Sequence, residues 1–369
     1  MGLLSKTMNV GAVLVLFFAV LLGVLLSGVP TRLGLFTWAF ASSHHRGTIP
    51  QSLHGVEWGF TFEQLAAVDL VGQTALVTGG NSGVGFHAAV ALAQQGASVT
   101  IACRNPSKCE AAAASIREKA HKEAKVETLK LDTSSLKSVR AAGATYLASN
   151  SKPLDMLLLN AGMGIGPSLY NKDGSFALSE DGIQIMFATN YVGHHLLYKL
   201  LAPRLKRSKM ARIVLTSSGG HRDHPSYGVP TDLATANDLV NGVYSYGQSK
   251  LAQVLWAQEL SRQLGPDSNI YVNSAHPGAV DSGLWDKMGL PFPFNIFVQY
   301  LQRTIMWTGP EGALTIVYLA VATEELKAKD LRGKYFVPQT MLQEAHETAK
   351  NLTLQKALWA FTDDLVKKK

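Results

Sequence analysis

Four side chains in the second half of the chain could form a centre that exchanges a proton with a substrate. Tyr246 and Lys250 are four residues apart in the run YGQSK, which places them on one face of a helix. A free phenol has a pKa of about 10, and a nearby ammonium lowers that value because it favours the phenolate. Upstream, Ser217 and Ser218 end a strand-like run, where doubly wound sheets bind ligands. A Tyr and a Lys at this spacing are common by chance, so the predicted acid–base centre on Tyr246 depends on its context.

A glycine-rich loop supplies part of that context. Residues 78–85 read TGGNSGVG, follow the strand-like run TALVT and open a helical stretch. Glycines let the backbone turn tightly and approach a pyrophosphate, and the helix presents free N–H groups and a positive dipole end to that anion. We predict a dinucleotide-binding loop here, with an ordinary structural turn as the alternative.

The residue after the second predicted strand indicates which dinucleotide binds. An NAD enzyme would carry Asp or Glu there to bind the ribose 2′-hydroxyl, whereas this chain has Arg104. A guanidinium binds a 2′-phosphate through charge-assisted hydrogen bonds. The sequence therefore predicts NADP(H) as the cofactor; the alternative is that Arg104 is only a surface charge.

Strand-like and helix-like stretches alternate over residues 70–340. This alternation predicts an α/β fold: a Rossmann-type doubly wound parallel sheet in a single domain. A helical tail covers residues 341–369, and the sequence leaves open whether it packs on the domain, a dimer partner or the membrane. The strand-like runs are Thr74–Thr78, Ser98–Cys103, Val126–Leu131, Asp155–Leu159, Arg212–Thr216 and Asn269–Ser274.

The composition excludes several kinds of site. Of 369 residues, 47% are hydrophobic and 17% charged, and the net charge is +7. The Lys and Arg residues are scattered, so we expect no nucleic-acid partner. The cysteines Cys103 and Cys109 are predicted to be free thiols in a reducing compartment, because two cysteines make no disulfide framework. No metal site is expected, because the paired histidines His44/His45 and His194/His195 are sequence neighbours that point in different directions.

The N-terminal region, residues 1–41, is predicted to anchor the protein in a membrane. Residues 10–29 are apolar and long enough to cross a bilayer as a helix; a cleaved signal peptide is the alternative. A second apolar stretch at 33–41 could lie in the interface or complete a hairpin in one leaflet. Lys6 precedes the anchor and Arg32 and Arg46 follow it, which places the catalytic domain on the cytosolic side of endoplasmic reticulum or a lipid droplet. Residues 42–69 form a linker.

Taken together, residues 70–340 resemble the short-chain dehydrogenase/reductase family, in particular its retinol-dehydrogenase-like branch. The family usually places its serine closer to the tyrosine than here, where the insertion His221–Val243 intervenes and leaves the shape of the site entrance open. Its pattern favours Ser218 over Ser217. The matching motifs are TGGNSGVG (78–85), a strand ending with Asp132, NAG (160–162), Asn190, Ser218, YGQSK (246–250) and HPGAVDS (276–282).

The resemblance implies a role for each matching residue. Tyr246 donates a proton to a carbonyl oxygen, Ser218 positions that oxygen, Lys250 binds the nicotinamide ribose, and Asn190 anchors a proton-relay water. A structural helix bend at Asn190 and a strand-end cap at Asp132 are the alternatives. The residues implied to bind the cofactor are Gly79, Asn81, Ser82, Gly83, Val84, Gly85, Arg104, Asp132, Asn160, Tyr246, Lys250, Val280 and Ser282.

In this family the stretch Gly283–Trp307 covers the substrate, and here it is apolar and aromatic. The resemblance thus implies a lipophilic aldehyde, ketone or alcohol, of retinoid, polyprenoid, steroid or fatty-acyl origin; alternatively, these residues only fill the interior of this cover. The expected function is NADPH-dependent reduction of such a carbonyl compound, or the reverse oxidation. A catalytically silent NADP(H)-binding scaffold or sensor and a C=C reductase are the alternatives, and a homodimer is left open.

Overall fold

A computed structural model of the chain describes residues 59–238, 241–281 and 306–369. The predicted anchor at 10–29, the apolar stretch at 33–41 and most of the linker lie outside the described residues. In the ranges that are described, no helix is both long and apolar enough to cross a membrane.

An eight-stranded sheet organises the chain. The spatial order is β3-β2-β1-β4-β5-β6-β7-β8, and every neighbouring pair is parallel except β7 and β8. The predicted α/β fold with a doubly wound parallel sheet is therefore confirmed. The order reverses between β1 and β4, where sheets of this kind bind their ligands. The strands are β1 Thr74–Thr78, β2 Ser98–Cys103, β3 Val126–Lys130, β4 Met156–Leu159, β5 Ala211–Thr216, β6 Ile270–Ala275, β7 Tyr335–Val337 and β8 Met341–Gln343.

Helices cover both faces of the sheet. Alternate strand residues point to opposite sides, so Leu76 packs under one helical layer while Ala75 and Val77 pack under the other. Burial on both faces explains why β4 is apolar throughout. The helices are α1 Phe62–Ala66, α2 Gly83–Gln94, α3 Pro106–Arg117, α4 Leu136–Ser149, α5 Ile185–Phe187, α6 Gly193–Leu205, α7 Leu233–Asn237, α8 Gly242–Leu264, α9 Gly309–Val321, α10 Thr323–Ala328 and α11 Leu352–Lys368.

Four short segments complete the elements around the site. A π-helical turn, Ala188–Val192, joins α5 to α6. Three 3-10 helices lie in the connections at Pro167–Leu169, Gly219–Arg222 and Glu347–Lys350.

The C-terminal helix α11 packs on the domain, which was one of the options that the sequence left open. Its apolar face joins the core through Leu358, Leu365 and Val366. On the same side, the Asp363 carboxylate accepts hydrogen bonds from His195 Nε2 and Lys199 Nζ, both at 2.8 Å.

The expectation of two free thiols was wrong. Cys103 and Cys109 form a disulfide, with 5.7 Å between their Cα atoms. Cys103 ends β2 and Cys109 lies in the first turns of α3, so the tight return from strand to helix brings the two side chains together. The argument for a cytosolic location from reduced cysteines therefore has no support.

The contact between α11 and His195 yields a stability prediction. The His195 N–H and the Lys199 ammonium hold the pKa of Asp363 well below its usual range. Asp363→Ala removes both bonds and leaves a buried ring N–H unpaired, so we expect unfolding to cost about 2 kcal/mol less at pH 7. Because the folded pKa is depressed, the contribution is present at neutral pH and is lost as the pH falls through the folded value.

Urea unfolding at pH 7 and at successively more acidic pH measures this difference. Asp364→Ala is the matched control, because Asp364 is exposed and adjacent; it should change stability by less than about 0.5 kcal/mol. Equal effects of the two substitutions would contradict the assigned contact.

Candidate active site

The glycine-rich loop lies flat against the end of β4. Gly79 has a φ of 68°, in the left-handed region that favours glycine, and a Cβ there would be 2.9 Å from the Ala161 Cα. At Gly85 a Cβ would overlap the Asn160 amide and lie 2.6 Å from the Gly79 carbonyl oxygen. Side chains at these two positions would push the loop off the sheet, so glycine is required at both.

The loop leads into the N-terminus of α2. Ser82 immediately precedes the helix, and in the described structure its side chain makes no capping hydrogen bond. The first-turn N–H groups of α2 therefore have no side-chain cap from Ser82 and can receive a ligand anion. Asn81, Ser82, Gly83 and Val84 are all at least partly exposed, as ligand contacts from this loop require.

A small polar hub joins the ends of three strands beneath this loop. The Thr78 hydroxyl oxygen accepts the backbone N–H groups of Asn160 and Ala161, both at 2.9 Å. Asn160 Nδ2 donates to the Thr78 carbonyl at 3.0 Å, and its Oδ1 accepts from the Thr216 hydroxyl at 3.2 Å. Asn160 thus fixes β1, β4 and β5 relative to one another beside the cofactor loop.

Three of the four predicted catalytic side chains, all but Asn190, meet at the end of β5. Ser218 follows that strand, and its hydroxyl lies near Tyr246, since a Cβ on Gly220 would be 3.5 Å from Ser218 Oγ and 3.1 Å from Tyr246 Cε1. The Lys250 Nζ lies 5.6 Å from the centre of the Tyr246 ring and donates to the Thr216 carbonyl at 2.8 Å. The neighbouring Ser217 is buried and donates to the Lys250 carbonyl at 2.9 Å. The geometry therefore favours Ser218 over Ser217 as the serine that faces a substrate.

Burial controls the ionisation of this site. It lowers the pKa of Lys250 to about 7, because an ammonium loses its hydration there. It also raises the pKa of Tyr246, and the nearby Ser218 hydroxyl only partly offsets that rise. The sequence predicted a phenol pKa depressed by Lys250; in the structure burial raises that pKa, and Lys250 is not among the causes of the shift.

Asn190 lies in the π-helical turn and holds the chain after β4. Its Oδ1 accepts the Met163 N–H at 2.8 Å, and its Nδ2 donates to the Met163 carbonyl at 3.1 Å and to Ser249 Oγ at 2.9 Å. Its own carbonyl accepts from Gln253 Nε2 at 2.8 Å. These contacts are structural, and the proton-relay water stays a prediction.

The other predicted cofactor residues lie around this centre. Arg104 is exposed at the end of β2. Asp132 lies just beyond β3, and its carboxylate accepts hydrogen bonds from the N–H and O–H of Ser134 at 3.0 and 2.7 Å. These bonds form a local turn of the kind expected if Asp132 caps the strand end. Val280 is buried and forms a parallel bridge with Trp307.

Ser282 and most of the predicted substrate cover, Gly283–Trp307, lie outside the described residues. Within the described part, sequence reasoning missed two residues that support the site, Thr216 and Gln253. Thr216 directly precedes the serine pair at the strand end, which was an available signal. Gln253 had none, because its contact with the Asn190 carbonyl arises only once α8 packs on the π-helical turn.

Comparison with known proteins identifies the class. The family model "short chain dehydrogenase" matches residues 73–230. Short-chain dehydrogenase TIC 32 A, chloroplastic, of Brassica napus is 36% identical over 307 residues, covering 81% of this chain and 90% of that protein. The chain therefore belongs to the short-chain dehydrogenase/reductase family, an oxidoreductase family.

Two further comparisons narrow the relationship. Human retinol dehydrogenase 13 is 36% identical over 303 residues, covering 80% of this chain and 85% of that protein. A crystal structure of an uncharacterised protein from Mycobacterium paratuberculosis superposes with a TM-score of 0.60 at 29% identity, covering 82% of this chain and 97% of that one. The chain thus has retinol-dehydrogenase relatives.

The burial of Lys250 yields a prediction about stability and activity. Lys250→Met should abolish turnover and yet raise the free energy of unfolding by about 1–3 kcal/mol at pH 6, because it removes a buried charge. The pKa of Lys250 is about 7 in the folded chain against an ordinary 10.5. Between these values only the unfolded chain holds the proton, so the stability of the wild type rises with pH while that of the variant does not. The difference in unfolding free energy between the two proteins should therefore shrink as the pH rises.

Urea unfolding without cofactor at pH 6, 8 and 10 measures this gap. Lys206→Met is the control, because Lys206 is exposed; it should alter stability by less than about 0.5 kcal/mol at each pH. A gap that does not change between pH 6 and 10 would show that Lys250 is not desolvated.

Proposed function

We propose that this protein is a membrane-anchored, NADPH-dependent reductase of lipophilic aldehydes or ketones. The observation that carries the proposal is the convergence of Tyr246, Ser218 and Lys250 at the carboxyl end of β5, on the sheet edge where the glycine-rich loop lies. The same residues would catalyse the reverse oxidation of an alcohol. Because NADP is mostly reduced in the cytosol, we propose reduction as the direction.

The donor groups of the site fit a dinucleotide. An ammonium has three hydrogen-bond donors, and within the described residues Lys250 uses one of them, towards Thr216. A side chain at the exposed Gly162 would begin 3.6 Å from the Lys250 Nζ, so this glycine keeps the approach open. Lys250 can therefore bind ribose hydroxyls while the N-terminus of α2 binds the pyrophosphate.

Each catalytic side chain then has one task. When bound, the reduced nicotinamide supplies a hydride to the carbonyl carbon. Tyr246 transfers its phenolic proton to the carbonyl oxygen, so the product is the neutral alcohol. Ser218 donates a hydrogen bond to that oxygen and fixes its position. Lys250, when protonated, favours the phenolate that the transfer leaves on Tyr246.

Arg104 supports the choice of NADP over NAD. Its guanidinium is exposed at the end of β2, with no carboxylate among its sequence neighbours. We expect Arg104→Asp to raise the dissociation constant for NADPH about 10- to 100-fold and that for NADH less than about threefold, because only NADPH carries the 2′-phosphate.

Fluorescence titration with both nucleotides measures this selectivity. Lys122→Asp makes the same charge change at another exposed position and should leave both constants within about twofold. An unchanged preference for NADPH in Arg104→Asp would refute the assignment of Arg104.

Exposed apolar side chains next to Tyr246 support a lipophilic substrate. Val243 and Tyr244 lie in the first turn of α8 and are 50% and 39% exposed. Tyr170 borders them, since a Cβ on Gly242 would be 2.9 Å from its hydroxyl. The apolar stretch Gly283–Trp307 and the name of the human relative, retinol dehydrogenase 13, point to the same substrate class.

We also propose that residues 10–29 anchor the protein in endoplasmic reticulum or a lipid droplet, with the catalytic domain in the cytosol. The length and apolarity of the segment support the anchor, and the charges of Lys6, Arg32 and Arg46 support the orientation. A lipophilic substrate would partition into the same membrane.

The function is tested by NADPH oxidation with a panel of lipophilic aldehydes. Tyr246→Phe should lower kcat about 10²- to 10⁴-fold because the proton donor is lost. Tyr198→Phe removes the same atom from a tyrosine on α6 and should leave kcat within about twofold. If the wild type oxidises NADPH with none of these aldehydes, that result would support the alternative of a catalytically silent scaffold. A product with its carbonyl intact and a C=C bond reduced would instead establish the protein as a C=C reductase.

A further inference from the structure

We propose that His221 is a positioning residue that holds Ser218 in its catalytic place and ties it to the chain segment before α11. The inference rests on the proposed function, because that function makes Ser218 catalytic. It also assigns a task to the start of the insertion between Ser218 and Tyr246.

Ser218 needs support from outside the sheet. β5 ends at Thr216, and Ser218 lies two residues beyond it, where it caps the 3-10 helix Gly219–Arg222. Its carbonyl oxygen accepts two hydrogen bonds from one residue: the backbone N–H of His221 at 3.1 Å and the ring Nδ1 of His221 at 2.7 Å. A carbonyl only accepts, so Nδ1 carries the proton.

The second ring nitrogen of His221 contacts a distant part of the chain. The backbone N–H of His346 donates to His221 Nε2 at 3.0 Å. Donation at one nitrogen and acceptance at the other require the neutral ring with its proton on Nδ1. The ring is fully buried and packs against Tyr335, with 4.7 Å between ring centres.

The ring stays neutral at physiological pH. The pKa of His221 is lowered to about 3, chiefly because burial disfavours the charged ring; the hydrogen bond to the Ser218 carbonyl partly opposes this shift, and Arg222, His346 and His224 add to it. The two hydrogen bonds are therefore permanent contacts and not a pH switch.

The 3-10 helix transmits the position of His221 to the site. Gly220 lies against Tyr246, since a Cβ on Gly220 would be 3.1 Å from the Tyr246 Cε1. The Gly220 N–H also donates to the Ser218 hydroxyl oxygen at 3.1 Å. A shift of the Ser218 carbonyl would therefore displace the hydroxyl that faces Tyr246, on the scale of distance to which catalysis is sensitive.

Two substitutions each remove one of the two hydrogen bonds that the His221 ring makes and keep the other. His221→Asn keeps an N–H near the position of Nδ1 and loses the acceptor for His346. His221→Gln places an acceptor near the position of Nε2 and loses the donor to Ser218. If His221 only supported the fold, activity would follow stability in both variants.

We expect activity and stability to rank the two variants in opposite orders. His221→Asn removes the ring acceptor of the part-buried His346 N–H, so it should have the lower Tm yet keep kcat within about threefold of the wild type. His221→Gln should have the higher Tm of the two and lower kcat at least about tenfold, while KM and the NADPH dissociation constant change less than about threefold. In a Ser218→Ala background, His221→Gln should cost no more than about twofold, because its effect acts through Ser218.

A measurement without turnover distinguishes failure of this inference from failure of the proposed function. The nearby Ser218 hydroxyl acts to lower the pKa of Tyr246. Ultraviolet titration of the phenol in the NADP⁺ complex, with Tyr246→Phe as the blank, should therefore show a Tyr246 pKa about one higher in His221→Gln than in His221→Asn.

The outcomes decide the inference whether or not the aldehydes react. If the wild type reduces no aldehyde, the proposed function fails and the phenol titration alone decides: a higher pKa in the Gln variant supports positioning, and equal values overturn it. Equal losses of kcat and Tm in both variants would overturn it as well.

His224→Asn is the matched control. His224 lies on the same connection and contacts the His346 ring at 3.1 Å, and its described hydrogen bonds go to Pro225 and His346, not to Ser218. It should leave kcat and the pKa of Tyr246 at their wild-type values. A loss of kcat as large as that of His221→Gln would mean that disturbing the connection is enough, and would overturn the specific role of His221.

Discussion

The ammonium group of Lys250 is buried at the base of the site, with the Thr216 carbonyl as its hydrogen-bond acceptor among the described residues. Removing an ammonium from water costs several kcal/mol, and one carbonyl compensates for only part of that cost. The apolar clusters on the two sides of the sheet stabilise the fold, and this stability compensates for the cost of burying the ammonium. A bound nucleotide would supply further acceptors, so the site is expected to be more stable when it is loaded.

Much of the site could be predicted from sequence because short local patterns specify it. β1 and β2 occupy the predicted runs without a shift at either end. The glycine-rich loop directly follows β1, and Ser218 lies two residues beyond the end of β5. Parallel strands that end at one edge bring such residues together. Helical spacing places Tyr246 and Lys250 on one face of α8, and the strand-end motifs before them supplied the context that singled them out.

Features that depend on distant parts of the chain could not be predicted in this way. β7 and β8 have three residues each, too few for a periodic pattern. β7 forms because β6 offers an edge to pair with, and β8 then pairs with β7. The contact between His221 and His346 joins residues 125 positions apart. The prediction of free thiols was wrong for a related reason. It rested on the number of cysteines, whereas the disulfide forms because the connection from β2 to α3 brings Cys103 and Cys109 together.

The π-helical turn at Ala188–Val192 sets which way each face of α6 points. After it, the adjacent residues His194 and His195 bond in opposite directions: His194 to Thr78 beneath the cofactor loop, and His195 to Asp363 on α11. Deleting one residue of the turn would turn all of α6 by about 100°. Neither histidine would then reach its partner. The length of this turn therefore sets the orientation of α6 about its axis, and that orientation places both the contact beneath the nucleotide loop and the contact with the C-terminal helix. Insertions and deletions should consequently be excluded here.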